Sequence, residues 1–348
     1  MRPDPNIKHN NNEGSYAMKT KFISSLAALT FVSTAAFAEY PTKDIQGVIQ
    51  WGAGGSTDTV MRSVAPHAEK VLGTDIILTN KTGGVGAIAT KLVNAKKADG
   101  YTLLMGAENP QMYKVLGLAN IDYSDMIPVN VLARGIPIFV ASNDAPYNTI
   151  TEMVEYASAN PKKVKFGSTG PGGLASIVSA MLDGEVGIDV TTIPYDGDGP
   201  ALTALQGGAI DVMPAVLGAA IEHIKAGRMK AIGLVDTVAN PLLPDVKPIT
   251  EELPGFANYL PYGPFFGVFV KKGTPDEAVA KLVEAFKAGA EAPDFKELMD
   301  KRGFSIMNLS GDAANKFLDN YRSVSSWVVF DSGIAKHSPE DFDIKRPE

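Results

Sequence analysis

Apolar runs and glycine-rich breaks alternate along this chain in a regular order. Ile45-Gln46-Gly47-Val48-Ile49-Gln50-Trp51 reads as a short buried strand. It runs into Gly52-Ala53-Gly54-Gly55-Ser56-Thr57-Asp58, after which Met61, Val64, Ala65, Ala68 and Leu72 recur at helical spacing. Asp75 to Asn80 is a second strand; it ends in Gly83-Gly84-Val85-Gly86 before a helix through Val93. Tyr101 to Gly106 is a third. Strands alternating with helices predict βαβ units on a parallel sheet.

A second set begins near Ile136-Pro137-Ile138-Phe139-Val140, with a helix from about Thr151. Val164 to Ser168 is a strand ending in Thr169-Gly170-Pro171-Gly172-Gly173, where a helix through Met181-Leu182 starts. Val190 to Tyr195 leads through Asp196-Gly197-Asp198-Gly199-Pro200 to a helix ending at Gln206. Ile210 to Met213 and Ala231 to Leu234 are further short strands, and the proline-rich region 241–264 reads as crossing loop. Phe265 to Val270 is a strand, and the stretch from Pro275 onward is helical in pattern.

Open α/β sheets bind ligands beyond the carboxyl ends of their strands. Two such sets facing one another make a cleft. Each strand-to-helix junction offers free backbone N–H groups and the positive end of a helix dipole, which suit an anion without any Lys or Arg. The glycines of 52–55 and 170–173 permit close backbone approach, and Ser56, Thr57, Ser168 and Thr169 add hydroxyls. Each loop is equally readable as an ordinary capped turn, and Asp58 as a first-turn residue or cap. Two loops of one kind, one in each set, weaken that plainer reading.

Size and charge narrow the function. A chain of 348 residues exceeds one comfortable core and predicts two domains. A formal net charge of -7 argues against nucleic acid or anionic lipid as partner. No cysteine is present, so disulfides, thiol nucleophiles and thiolate metal sites are excluded. His67, His223 and His337 lie far apart and show no metal-ligand spacing. Gly83-Gly84-Val85-Gly86 lacks the rest of a dinucleotide fingerprint, and neither a P-loop nor a G-x-S-x-G elbow occurs. The residues therefore point to a non-catalytic binding protein without a cofactor; a hydrolase using Ser56 or Ser168 is the enzymatic alternative.

Met18 to Ala38 has the layout of a secretory signal. Lys19 and Lys21 precede an apolar stretch from Phe22 to Ala35, and Ala36-Phe37-Ala38 is a small-x-small cleavage site. Residues 1–38 are thus expected to be a leader, with Met18 the true start and 18–38 the signal peptide. No later window offers the roughly 18 uninterrupted apolar residues of a membrane span.

With these residues in view, the chain resembles the substrate-binding subunits of tripartite tricarboxylate transporters, the Bug family. The resemblance runs from Tyr40-Pro41 to about Gly333. Its markers are Trp51 to Asp58, Asn80-Lys81-Thr82-Gly83-Gly84, Asp99 to Leu104, Gly167-Ser168-Thr169-Gly170, Pro194-Tyr195, Pro200-Ala201, Gly207-Gly208, Asp211 and Ile224 to Arg228. Each is weak alone; in this order and spacing they are specific. The resemblance implies a type II periplasmic-binding-protein-like α/β fold with the ligand cleft between two βα domains. Segments 39–137 and 265–348 would form domain 1, and 138–264 domain 2. It implies a periplasmic protein that captures a small organic carboxylate, through backbone amides, hydroxyls and ordered water, for the integral membrane subunits of the transporter; a monomer is the default expectation. A receptor feeding a signalling partner is the alternative. The expected ligand set is Trp51, Gly54, Gly55, Ser56, Thr57, Asp58, Asn80, Glu108, Ser168, Thr169, Gly170, Gly172, Gly173, Tyr195 and Asp211.

The chain departs from the family pattern at three places. Gly173 stands where Ser is usual, Ser176 where His is frequent, and the third strand leads to Ala107-Glu108-Asn109 instead of to Ser or Thr. A carboxylate at Glu108 facing the cleft would repel a second ligand carboxylate and favour a ligand carrying a donor, an amine or hydroxyl. Glu108 turned to solvent or paired with a lysine is the other reading. Trp51 and Tyr195 read as an apolar wall or as hinge packing.

Overall fold

The computed structural model describes residues 40–347. The leader and signal peptide lie outside the described residues. Strand β1 (Ile45–Ile49) leads into α1 (Ser56–Leu72), β2 (Ile76–Asn80) into α2 (Ala87–Asn94), and β3 (Thr102–Ala107) is followed by β4 (Met126–Arg134). The chain then leaves this sheet and forms β5 (Pro137–Ala141), α3 (Ile150–Ala159), β6 (Lys165–Ser168), α4 (Leu174–Val186), β7 (Thr191–Pro194), α5 (Asp198–Gln206), β8 (Val212–Val216), α6 (Leu217–Lys225), β9 (Lys230–Leu234) and α7 (Ile249–Glu252). It returns as β10 (Phe265–Lys271), α8 (Asp276–Glu291), α9 (Pro293–Arg302), β11 (Ser305–Leu309) and α10 (Gly311–Asp331). No described helix is long and apolar enough to cross a membrane.

Two sheets result. The first has the order β11-β4-β10-β3-β1-β2, the second β7-β6-β8-β5-β9. Both are mixed, which corrects the expectation of parallel sheets. β1 pairs parallel with β2 and β3, whereas β10 is antiparallel to β3 and β4. In the second sheet β6 is parallel to β7 and β8, and β5 antiparallel to β8 and β9. β5 and β10, which run against their neighbours, are the strands by which the chain enters the second sheet and returns to the first. β11 also departs from the purely helical reading of the C-terminal stretch: it pairs antiparallel with β4 at the edge of the first sheet.

Helix α1 shows how local chemistry sets an element. Gly55 is its extended N-cap, and Gly73, left-handed at φ 70°, ends it with its N–H on the Glu69 carbonyl. The apolar positions expected to face inward do so: Met61, Val64, Ala65, Ala68 and Leu72 are buried. Helix α8 packs on this face, with Gly289 against Val64.

The chain passes between the sheets twice, and the two passages touch. Gly135 N–H donates to the Pro264 carbonyl at 2.8 Å. A Cβ on Gly263 would stand 2.4 Å from the Gly135 carbonyl oxygen, so the two backbones approach as closely as glycine allows. The described residues form one compact unit.

Candidate functional site

A small cavity of about 30 Å³ lies where the carboxyl ends of β1, β3, β6, β7 and β8 face one another. It is lined by Trp51, Gly55, Ser56, Thr57, Ala107 and Glu108 from the first half, and by Thr169, Leu174, Gly197, Asp198 and Val216 from the second, with Pro264 and Phe266 at the return passage. Four helices begin at its wall. The N-caps of α1, α4, α5 and α6 are Gly55, Gly173, Gly197 and Val216, and none has a side chain closing its own helix. Their dipoles bear on it, although the first-turn N–H of Ala175 is taken by Thr169 Oγ1 and that of Leu217 by the Ile136 carbonyl. No lysine, arginine or histidine of the described residues lines the cavity.

Six of the residues expected from the sequence line this space: Trp51, Gly55, Ser56, Thr57, Glu108 and Thr169. The other nine do not, and most hold the walls in shape. Asp58 accepts the Gly54 N–H at 3.0 Å, Arg62 Nε at 2.8 Å and Asn80 Nδ2 at 2.9 Å. Asn80 Nδ2 also donates to the Trp51 carbonyl at 2.8 Å. Asp58 and Asn80 thereby pin the loop 52–55, in which Gly54 is left-handed at φ 77°. Asp58→Ala removes charge-assisted bonds worth about 1.5–3 kcal/mol each. We expect a lowered melting temperature and a ligand affinity reduced by about tenfold or more, a factor of ten corresponding to about 1.4 kcal/mol of lost loop order; unchanged melting and titration curves would contradict this role.

Ser168, Gly170, Gly172 and Gly173 shape the opposite loop. Ser168 Oγ lies 2.5 Å from Ser176 Oγ and accepts the Gly170 N–H at 3.2 Å, while Ser176 Oγ donates to the Gly170 carbonyl at 2.6 Å. A Cβ on Gly172, at φ 84°, would strike Leu116 Cδ1 at 2.3 Å. A Cβ on Gly173 would lie 2.3 Å from Thr169 Oγ1, which gives the physical reason for the missing serine: Thr169 fills that space. Tyr195 is half-buried among apolar side chains of the second half, and its N–H pairs with the Ser168 carbonyl. Asp211 stands just before β8, at the end away from Val216, where Oδ2 accepts the Lys165 N–H at 2.8 Å.

Sequence reasoning missed Asp198. It starts α5, is 9% exposed, and its Oδ2 accepts Val216 N–H at 3.2 Å and Ser56 Oγ–H at 3.4 Å. The available signal was the loop Asp196-Gly197-Asp198-Gly199-Pro200, a third glycine-rich strand-to-helix junction like the two chosen. Ala107, Leu174, Gly197, Val216, Pro264 and Phe266 were also missed, being apolar or backbone contributors with no chemical signature.

Glu108 faces the cavity and is 2% exposed. Its Oε1 accepts Asn109 Nδ2 at 3.1 Å. Burial, assisted by Asp198, pushes its carboxyl up to about 8. Burial likewise pushes Asp198 up to about 6, against the opposing pull of its bonds from Val216 and Ser56.

The two halves are fastened across the cavity. Gly52 N–H donates to the Asp196 carbonyl at 3.0 Å, Thr82 Oγ1 to Asp196 Oδ2 at 3.1 Å, and Asn109 Nδ2 to the Gly172 carbonyl at 3.0 Å. Asn109 Oδ1 in turn accepts Trp51 Nε1 at 3.1 Å, which sets the indole as a wall. Helix starts thus surround a small space, and side chains and backbone together join the two halves across it.

Comparisons agree with that architecture. The chain is similar to the periplasmic binding protein BugD, with a TM-score of 0.79 at 28% identity over 85% of this chain and 99% of that one. It is similar to MatC from Rhodopseudomonas palustris, solved with bound malate, with a TM-score of 0.77 at 26% identity over 83% of this chain and all, 100%, of that one. Protein BugT of Bordetella pertussis is 29% identical over 301 residues, 79% of this chain and 90% of that protein. Residues 60–330 match the family described as tripartite tricarboxylate transporter family receptor. The cleft geometry and these likenesses agree with the markers read from the sequence, and the chain belongs to the solute-binding receptors of the tripartite tricarboxylate transporter family.

Proposed function

We propose that this protein captures a small organic carboxylate in the cavity between Ser56 and Thr169 and presents it, closed, to the integral membrane subunits of a transporter. The observation that carries the reading is the convergence of four helix starts on an enclosed space whose lining has no cationic side chain. A carboxylate there is met by fixed N–H dipoles that need no reorganisation and no counter-ion. Segments 39–137 with 265–348, and 138–264, are the two lobes on this reading, and the touching passages at Gly135 and Pro264 are the hinge. Closure is then a population shift driven by the contacts a ligand makes to both lobes at once.

The protein works in the periplasm after removal of its leader, as a monomer and without catalysis. Ser56 Oγ is already engaged with Asp198, and the cavity lining brings no histidine beside it, which supports binding over acyl transfer. Malate in MatC supports the carboxylate class. A thermal-shift screen against organic acids, aromatic acids and amino acids tests the proposal. A ligand at 100 times its dissociation constant adds about 2.7 kcal/mol to folding stability. We expect one chemical class of hits, with compaction in solution scattering. A protein that gains neither stability nor compactness from any of them is not a carboxylate receptor.

A further inference from the structure

We propose that the ligand carries a protonated amine as well as its carboxylate, and that Glu108 and Asp198, one from each half of the cleft, grip that amine. The inference rests on the reading of the cavity as a carboxylate site and names the ligand class within it.

Two buried carboxyls line one small cavity with no cationic side chain in its wall. Their oxygens are only partly used. Glu108 Oε2 and Asp198 Oδ1 take part in no hydrogen bond among the described residues, while Oε1 of the one and Oδ2 of the other are occupied. Both free oxygens belong to residues that line the cavity, where an arriving donor can reach them. Ser56 and Asn109 already donate to the other oxygen of each carboxyl, Ser56 to Asp198 Oδ2 and Asn109 to Glu108 Oε1, with Asn109 also donating to the Gly172 carbonyl.

The identity of the missing partner follows from charge. An ammonium supplies three donors and a positive charge, enough for the two free oxygens and one more acceptor. A hydroxyl supplies one donor and leaves the carboxyls facing each other. A plain dicarboxylate sets a second negative charge beside the Asp198 carboxylate and is disfavoured. The helix starts still need an anion, so the complementary molecule carries both signs: a compact amino acid or a similar amine-bearing acid. Burial raises both carboxyls, Glu108 to about 8 and Asp198 to about 6, so the empty pair retains a proton near neutrality that an arriving ammonium displaces. Because the two carboxyls come from opposite halves, the amine is bound fully only when the cleft is shut, which ties selectivity to closure.

Calorimetric titration of ligand-stripped protein with matched pairs tests this. Each pair is an acid and its α-amino twin: propionate and alanine, succinate and aspartate, glutarate and glutamate, phenylpropionate and phenylalanine; malate serves as the hydroxyl control. We expect the amino member of the best pair to bind at least about 30-fold tighter, about 2 kcal/mol, with proton release seen as a buffer-dependent heat. Glu108→Gln and Asp198→Asn, checked for native melting, should each pull that ratio towards one. If the des-amino or hydroxy acid binds as well as or better than its amino twin, the amine is not recognised and the inference falls, while the carboxylate site stands. If neither member of any pair binds, the carboxylate reading falls and takes this inference with it.

Discussion

Gly199→Ala should hold the cleft open and cost at least about 100-fold in ligand affinity, equivalent to about 3 kcal/mol. Gly199 is the second residue of α5, and a Cβ there would stand 2.2 Å from the Ala53 carbonyl oxygen, 2.9 Å from Gly55 N and 3.0 Å from Gly54 C. All three are backbone atoms of the opposite loop, so no side-chain rotation relieves the overlap. That loop is pinned by Asp58 and Asn80 and cannot retreat cheaply. Within its own helix the substitution is benign, because alanine is the better helix former. The penalty therefore falls on the closed form alone. Titration should show the weakened affinity, and solution scattering should show a radius that stays large when ligand is added. Gly207→Ala, at the far end of the same helix with only ordinary contacts at 3.5 Å and beyond, is the control and should bind normally. Wild-type binding by Gly199→Ala would mean that the bound form does not use this seam.

The second large effect concerns stability of the empty protein. Glu108→Gln should raise its melting temperature, and more so at alkaline pH. The folded carboxyl is pushed from 4.5 to about 8, so across that window the folded state holds a proton that the unfolded chain has lost. Stability of the empty protein therefore falls as pH rises through the window, and the favourable contribution is whole only below it. Asp198 acts with the same sign between 3.8 and about 6. The groups coupled to Glu108 do not supply compensating charge: besides Asp198 they are the phenols of Tyr113, Tyr123, Tyr262 and Tyr321, all raised by burial and neutral here. Glutamine keeps an oxygen for Asn109 and has no charge to bury. The gain should be about 1–3 kcal/mol above the window, the range typical of relieving a buried unpaired charge, and vanish at its acid end. Melting curves of both proteins across pH decide the matter. Parallel curves would mean that Glu108 titrates as an ordinary surface acid. Glu108 is in this sense a residue that costs the empty protein stability for the sake of the bound one.

Much of the chain was legible as sequence because it rests on local rules. The alternation of strands and helices, the buried face of α1 and the glycine junctions all depend on periodicity and on backbone freedom within a few residues. β4 and β11 were missed for an equally physical reason. Met126–Arg134 is almost uniformly buried, and so lacks the alternation that marks a half-exposed strand. Ser305–Leu309 is a half-buried edge strand among helices, made a strand by its pairing with β4.

The site divides along the same line. By itself the sequence determined two of the loops that face the cavity, those at 52–58 and 168–173: each follows a strand and starts a helix, and that geometry is local. Only the tertiary structure decided which side chains of those loops meet. Asp58, Asn80 and Ser168 carry the right chemistry but spend it within their own half, whereas Asp198, read as part of a turn, reaches Ser56 across the seam. Glu108 left two directions open until the opposing half closed over it. Pairing between Glu108 and Asp198 is a relation between two sheets, set by how the passages at Gly135 and Pro264 place one against the other, and no periodicity within either sheet encodes it.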